Sequence, residues 1–355
     1  MPAKPQMLAT VAPSAPPARI LIVDDSAVAR AVIAKMIEAN PRFVVAGAVA
    51  DAQAAMAFLR GQSVDVILLD IEMPGVDGLT ALPDLIEGGR GARVIIVSSS
   101  CAEGAAATIQ ALTLGAADTL VKPGLGNLVG RFGDALIEKI ARLIDGDEAS
   151  ARRDAYPPVA AGAGDFDIVA VGASTGGIHA LSLMLRAIPA SFQTPILITQ
   201  HLPASFMPYF AAQIAVLASR PCEVAHEHMR IKPGRVVIAP GEAHLRCVRY
   251  GDAVVAKLTS ERVPSGCLPS VDPMLATVAE TFGPRALGVV LSGMGRDGAL
   301  GAAQLAAAGG SLVVQDKASS VVWGMPGAVA NGGFAQAVLP PDEIGRLIAG
   351  GKRPQ

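Results

Sequence analysis

Aromatic residues are scarce: Phe, Trp and Tyr together make only 4% of the 355-residue sequence. Any core must therefore be filled by Ala, Val, Ile and Leu, which a hydrophobic content of 51% supplies. That balance suits parallel sheets buried on both faces, whose strands read as continuous aliphatic runs. Basic charge is not in surplus either, since 29 Lys and Arg stand against 31 Asp and Glu, a net charge of −2. Neither nucleic acid nor an anionic membrane is an expected partner, because both demand a basic patch. Cys101, Cys222, Cys247 and Cys267 form no C-x-x-C pair. Their scatter excludes a zinc ribbon or thioredoxin-type motif and fits a reducing cytosol. No apolar run reaches the roughly 18 residues of a membrane span, so membrane insertion is not expected. The Ala- and Pro-rich start, residues 1–18, lacks the basic and apolar regions of a signal peptide and reads as a disordered arm. A cytoplasmic, monomeric protein is the expectation.

The length favours two domains over one, because single cores stop growing well below it. From Arg19 onward, strand-like and helix-like segments alternate. Ile20–Val23, Val44–Val49, Val64–Leu69, Arg93–Val97 and Thr119–Val121 read as strands. Ser26 is placed to cap a first helix, and a last helix runs from about Leu128 to Ile144. Successive βα units predict a doubly wound, flavodoxin-like parallel sheet over residues 19–145. Residues 146–165 lose all periodicity in a run of Asp, Ala, Pro and Gly, and read as a linker. Alternation then restarts, with strands at Asp167–Val171, Pro195–Thr199, Arg235–Ala239, Val254–Leu258, Ala286–Leu291 and Ser311–Val314. Residues 166–350 thus form a second α/β domain, with antiparallel pairing expected around Leu245–Leu258.

Open parallel sheets bind ligands at the carboxyl ends of their strands. In the first domain that edge receives Asp24, Asp25, Asp70, Ser98 and Lys122. Three carboxylates on one rim repel one another, so the arrangement makes sense around a hard cation such as Mg²⁺. The lysine and the hydroxyl are placed to bind the remaining oxygens of a phosphoryl group. Asp70 lies between the others in strand order and is the natural acceptor.

In the second domain, Ile168–Ile178 reads as a strand, a tight Gly-rich turn and a helix, with Ser174 lifted to the sheet edge. Backbone N–H groups at such a helix start can approach a substrate oxygen. A nucleophilic serine needs a base, and the base needs an orienting acid. His201 follows the second strand of this domain, and Asp297 follows the strand near Leu287–Leu291, so both reach the same rim. The remaining histidines, His179, His226, His228 and His244, read as structural: His179 as an exposed helix residue and His244 in a loop. Asp272 reads as the cap of a helix beginning at Pro273. Two rival readings stand beside this one. Gly172–Gly177 has Walker A spacing, although Ile178 and His179 occupy the Lys and Ser/Thr places. Gly293–Gly298 is a formal G-x-G-x-x-G followed by Asp316, as in a dinucleotide fold.

The motifs Val23-Asp24-Asp25-Ser26, Asp70-Ile71-Glu72-Met73-Pro74-Gly75-Val76-Asp77-Gly78 and Val121-Lys122-Pro123 resemble those of two-component response-regulator receivers. The resemblance implies Asp70 as phosphoacceptor. It also implies Mg²⁺ held by Asp25, Asp70 and the Glu72 carbonyl with Asp24 in support, Ser98 as switch hydroxyl and Lys122 as phosphoryl-binding cation. Thr119 stands where that family carries an aromatic residue. The second half resembles the catalytic domain of the chemotaxis receptor methylesterases. Its motifs are Val171-Gly172-Ala173-Ser174-Thr175-Gly176-Gly177, Gln200-His201-Leu202-Pro203, Pro269-Ser270-Val271-Asp272, Ser292-Gly293-Met294-Gly295-Arg296-Asp297-Gly298 and Gly324-Met325-Pro326-Gly327.

That likeness, from Arg19 to about Leu347, implies a Ser174–His201–Asp297 triad with backbone oxyanion donors at Thr175 and Met294 and no cofactor for the esterase. It implies hydrolysis of γ-glutamyl methyl esters on chemoreceptors, deamidation of receptor glutamines, and a chemotaxis histidine kinase as phosphodonor. It further implies autoinhibition, with the unphosphorylated receiver covering the Ser174 cleft. A receiver with a non-catalytic, receptor-binding output remains an alternative.

Overall fold

A computed structural model describes residues 16–98, 102–122, 129–148 and 165–351. Most of the expected N-terminal arm, and residues 149–164 of the expected linker, lie outside them.

The first half alternates β1 (Ala18–Val23), α1 (Ala27–Glu38), β2 (Phe43–Val49), α2 (Ala52–Gly61), β3 (Val66–Asp70), α3 (Gly78–Gly88), β4 (Arg93–Ser98), α4 (Ala102–Leu114), β5 (Asp118–Val121) and α5 (Val129–Glu148). All strand pairs are parallel, in the order β2-β1-β3-β4-β5. The strand order reverses between β1 and β3, which opens the crevice where such folds bind ligands. Helix starts follow local chemistry: Ser26, Asp51 and Asp77 each accept a backbone N–H from the first turn of α1, α2 and α3. Helix α5 continues to Glu148, past the expected end at Ile144. The polar run Asp145-Gly146-Asp147-Glu148 has no apolar period, so its helical turn leaves no mark in the sequence pattern.

The second half runs β6 (Ile168–Ala173), α6 (Gly177–Arg186), β7 (Ile196–Gln200), α7 (Met207–Ala218), β8 (Cys222–Val224), β9 (Val236–Ile238), β10 (His244–Tyr250), β11 (Ala253–Thr259), α8 (Val271–Phe282), β12 (Ala286–Val290), α9 (Ala299–Ala307), β13 (Ser311–Gln315), α10 (Met325–Asn331), β14 (Ala337–Leu339) and α11 (Pro341–Ala349). Seven strands form a parallel sheet in the order β14-β13-β12-β6-β7-β9-β8. The antiparallel element is a separate hairpin, β10–β11, pairing His244 with Thr259 through Tyr250 with Ala253. Strands β6, β7 and β12 are buried along their whole length, which is what their aliphatic runs require. The sheet's order reverses at β6, which has β12 on one side and β7 on the other. Ser174, His201 and Asp297 follow these three strands, all at the switch point.

Three sequence expectations need correction. His244 opens β10 rather than lying in a loop, and it is fully buried. His179 is half-buried, its Nδ1 donating to the Thr113 carbonyl at 2.9 Å. Ser270, not Asp272, caps α8; Asp272 sits in its first turn and accepts the Gly301 N–H at 2.8 Å. A hydroxyl one residue before the helix outcompetes a carboxylate already inside it.

The two halves share two apolar clusters. Ile109, Ala111 and Leu112 of α4 are buried with Ile178 and Leu181 of α6 and Phe206 and Phe210 around the start of α7. On the other side of β5, Phe132, Leu136 and Ile140 of α5 enclose Val322, with Met294 and Val321 packed against them. Behind α6 lies α11, close enough that a Cβ on Gly345 would stand 2.2 Å from the Met184 carbonyl oxygen. Backbone cannot yield as a side chain can. Gly345→Ala should therefore push α11 off α6 and cost about 1–3 kcal/mol, read as a lower denaturant midpoint at unchanged slope.

Candidate active site

Ser174 sits on the turn between β6 and α6 and is half-buried. Its backbone N–H donates to the Ser292 carbonyl at 3.0 Å, and its carbonyl accepts the Gly177 N–H at 2.8 Å, closing the turn. Gly176 holds the left-handed conformation, φ 75°, where a Cβ would strike Val321 and Ser292. Gly293 lets the loop after β12 run past the serine, because a Cβ there would lie 2.9 Å from the Ser174 Cβ. His201 Nε2 stands 2.8 Å from Asp297 Oδ2. A carboxylate only accepts, so Nε2 carries the proton, and Nδ1 of the neutral ring is left with its lone pair. Ser174, His201, Thr175 and Met294 line one cavity of about 580 Å³. Among the described residues, no hydrogen bond joins the Ser174 hydroxyl to His201.

The two expected oxyanion positions lie on that cavity. Among the described residues, neither the Thr175 nor the Met294 N–H has a hydrogen-bond partner, so both are available donors. Ser292 ties their loops together: its hydroxyl donates to the Thr175 carbonyl at 2.8 Å and accepts the Val322 N–H at 3.1 Å. Gln200 does the same on the other flank, its amide donating to the carbonyls of Ser174 at 3.0 Å and His201 at 3.3 Å. Trp323 lies on a neighbouring cavity with Met294 and Arg296, its Nε1 donating to the Gln315 carbonyl at 2.8 Å.

Asp297 is buried to 1% exposure. Burial works to raise its pKa. The bond and charge of His201, the Ser270 hydroxyl and the Val271 N–H prevail, and hold the carboxyl below its usual range. For His201, burial works to depress the pKa. The Asp297 bond outweighs it, with Cys267 beside the ring acting in the same sense, and the value is pushed up to about 9. Asp272 is raised, first by burial and then by the nearby Asp297 charge, with the Gly301 N–H opposing.

The first half lies across this cleft. The Ala117 carbonyl accepts the Gly176 N–H at 2.9 Å, and Asp118 Oδ2 accepts the Thr175 hydroxyl at 3.0 Å. Lys139 of α5 holds the other Asp118 oxygen at 2.8 Å. Asp118, Thr119 and Lys139 of that half line the same cavity as Ser174. Nothing in the sequence singles out Asp118, an ordinary acid at the start of a strand.

At the far end of that half, the carboxylates of Asp24, Asp25 and Asp70 converge, their oxygens within 4.8 Å of one another. Lys122 Nζ reaches Asp70 at 2.6 Å and Asp24 at 2.9 Å. Burial, aided by the Asp24 charge, raises the Asp70 pKa against the pull of Lys122. Glu72 is exposed beside this pocket, its N–H 3.3 Å from Asp70 Oδ1. Ser98 ends β4 beside the pocket but is fully buried, and its hydroxyl is hydrogen-bonded to Thr108 of α4 at 2.9 Å.

In the dinucleotide reading, the G-x-G-x-x-G run should present a helix N-terminus to a pyrophosphate. Its fifth residue is instead the buried partner of His201, and Asp316 accepts from Ser319 in its own turn. The rival therefore loses both of its marks.

Comparison with known proteins identifies both halves of the chain. The family described as CheB methylesterase matches residues 169–348, and the response regulator receiver domain matches residues 20–131. The protein-glutamate methylesterase/protein-glutamine glutaminase 2 of Caulobacter vibrioides is 41% identical over 93% of this chain and 98% of its own length. The corresponding protein of Azospirillum brasilense is 37% identical over 94% of this chain and 92% of its own. The crystal structure of the Thermotoga maritima CheB methylesterase catalytic domain matches at TM-score 0.50 and 34% identity, covering 52% of this chain and 98% of that one. With a hydrolytic domain behind a receiver, and likeness along nearly its whole length, the chain belongs to the CheB methylesterase family.

Proposed function

We propose that this chain is a phosphorylation-activated protein-glutamate methylesterase, hydrolysing γ-glutamyl methyl esters on chemoreceptors and deamidating receptor glutamines. The observation that carries the reading is the His201–Asp297 bond of 2.8 Å beside Ser174 in one cavity. Ser174 Oγ attacks the ester carbonyl while His201 Nδ1 takes its proton. The oxyanion lies against the Thr175 and Met294 N–H groups. His201 returns the proton to the departing methoxide, which leaves as methanol. Water, deprotonated by the same nitrogen, then releases the glutamate. A glutamine side chain follows the same path with ammonia as leaving group.

The receiver supplies the control. Asp70 is the proposed acceptor of a phosphoryl group from a chemotaxis histidine kinase. The converging oxygens of Asp24, Asp25 and Asp70 fit a hard, oxygen-loving cation, and these residues with the Glu72 carbonyl would hold Mg²⁺. When bound, Mg²⁺ offsets the negative charge that gathers during phosphoryl transfer. Lys122, now paired with Asp70 and Asp24, would turn to the new phosphoryl oxygens. Ser98 reaches the same group only by leaving Thr108, which would loosen α4 from the sheet. Helix α4 packs on the catalytic half, so that change falls on the contact covering Ser174. Among the described residues no helix is long and apolar enough to cross a membrane; the location proposed is the cytoplasm, with docking on chemoreceptors. The domains proposed are a receiver to about residue 145 and a catalytic unit from about 166.

Methanol release from methylated chemoreceptor tests the chemistry. Ser174→Ala should abolish it, and Asp297→Asn should lower kcat on the order of 10³–10⁴-fold. Near-parental release from Ser174→Ala would remove the serine from its role.

The raised His201 pKa has a definite sign. The base must be neutral, so kcat/KM should climb with pH towards about 9, and the limb should move to lower pH in Asp297→Asn. The same pair stabilises the fold fully below the unfolded histidine value of about 6.5. That contribution fades as pH rises through about 9, which pH-dependent denaturation will show.

Asp118→Ala removes the receiver's hold on Thr175. Losing about 1 kcal/mol of docking should raise the unphosphorylated rate about fivefold and shrink stimulation by a phosphodonor. An unchanged basal rate would argue against docking as the brake.

A further inference from the structure

The bond from Asp297 to His201 uses one carboxylate oxygen, and the other must be held still for that bond to keep its direction. Asp297 Oδ1 faces Ser270 Oγ at 2.5 Å. The Ser270 hydroxyl also accepts the Asp272 N–H at 3.3 Å as cap of α8. A hydroxyl has one proton and a carboxylate has none to give, so that proton points at Asp297. The Val271 N–H adds a bond to Oδ2 at 2.7 Å, from the next residue of the same helix start.

Ser270 is itself pinned from behind. Its backbone N–H donates to His244 Nδ1 at 2.9 Å, and His244 Nε2 stands 2.9 Å from the Glu261 carbonyl. An N–H can only donate and a carbonyl only accept. His244 is therefore neutral with its proton on Nε2. Along the chain from Glu261 through His244 and Ser270 to Asp297 every donor meets an acceptor, and Ser270 donates both ways, its N–H to His244 and its hydroxyl to Asp297. Ser270 and His244 are both fully buried, so water cannot take over either bond.

We propose that Ser270 is a positioning residue of the hydrolytic site, holding the Asp297 carboxylate in the rotation that leaves Oδ2 to His201, with His244 fixing Ser270 in turn. The proposal rests on the serine-hydrolase reading above. Without the hydroxyl, Oδ1 has no partner, the carboxylate gains freedom about its Cβ–Cγ bond, and its charge is shared with one donor fewer. A less compensated carboxylate holds the proton on His201 more tightly. The groups that face this pair are Cys267 beside His201, Asp272 beside Asp297 and the neutral His244 behind Ser270. The substitution replaces none of these groups, and beyond the Asp297 bond it removes the cap on the Asp272 N–H.

The test uses the full chain, with methylated chemoreceptor membranes, a phosphodonor and Mg²⁺, over a range of pH. Ser270→Ala should lower kcat on the order of 10–100-fold with KM unchanged, and move the acid limb of kcat/KM to higher pH. Ser270→Thr keeps the hydroxyl and should recover most of the rate and the parental limb. Ser270→Cys is the second variant if the alanine form does not fold: a weak donor of similar size, it should fall between the two. Titration with a serine-directed sulfonyl fluoride counts competent sites, so kcat refers to folded enzyme. Parental kcat and an unmoved limb in Ser270→Ala overturn the proposal. So does a loss explained entirely by fewer titrated sites. If the parent itself releases no methanol through Ser174, the hydrolase reading falls, and the role of Ser270 falls with it.

Discussion

A buried carboxylate governs the catalytic half. Asp297 is 1% exposed, and an uncompensated charge at such depth costs several kcal/mol. Its three donors come from different places: His201 after β7, and the Ser270 hydroxyl and Val271 N–H at the start of α8. Strands β12, β6 and β7 must therefore be paired and α8 seated before the charge is tolerable. The seat depends on a missing side chain, since a Cβ on Gly172 of β6 would stand 2.4 Å from Val271. The helix start also directs its positive end at the carboxylate, so backbone and side chains act in the same sense. The sheet and α8 thus together supply what compensates the buried charge.

The Gly-rich turn after β6 serves two masters with adjacent N–H groups. The Gly176 N–H is bound to the receiver's Ala117 carbonyl, whereas the N–H of Thr175, a residue lining the cavity, has no hydrogen-bond partner among the described residues. The receiver therefore grips the turn one residue from the expected oxyanion donor, and holds the Thr175 side chain through Asp118. Among the described residues few polar bonds fasten this contact, and apolar packing of α4 and α5 accompanies them. Each ~1.4 kcal/mol lost from such a contact multiplies the open fraction tenfold. In the proposed activation, the loss of one hydrogen bond such as Ser98–Thr108, about 1 kcal/mol, is of that order.

Much of this was legible in the sequence because strand ends are legible. Aliphatic runs ending in Asp24, Asp70, Lys122, Ser174 and His201 placed these residues at sheet edges without any coordinates. What stayed hidden has a physical reason in each case. Strands β8 and β14 span only three residues each, too short for any period. The buried state of His244 depends on Ser270, 26 positions away, and on a carbonyl 17 positions on. Ser270 belonged to a quoted motif, yet its task is set by where its hydroxyl points. Asp118 carries no local signal, since its meaning comes from the other half of the chain.

Asp70 and Asp297 are both buried aspartates at the carboxyl edge of a parallel sheet, yet their surroundings assign them opposite work. Asp297 is ringed by donors that leave no oxygen free, and its pKa is lowered; it can orient a neighbour but not react. Asp70 has Lys122 on one oxygen and only a long backbone contact on the other, with two further carboxylates beside it. Burial raises its pKa, so its electron pairs are more basic and less tied up. Its principal partner is a flexible, partly exposed lysine that can swing to another anion. An aspartate that accepts a phosphoryl group, the role proposed for Asp70, needs that looseness. One meant to hold a histidine through every turnover needs the opposite, and a rigid hydroxyl behind it is the simplest means.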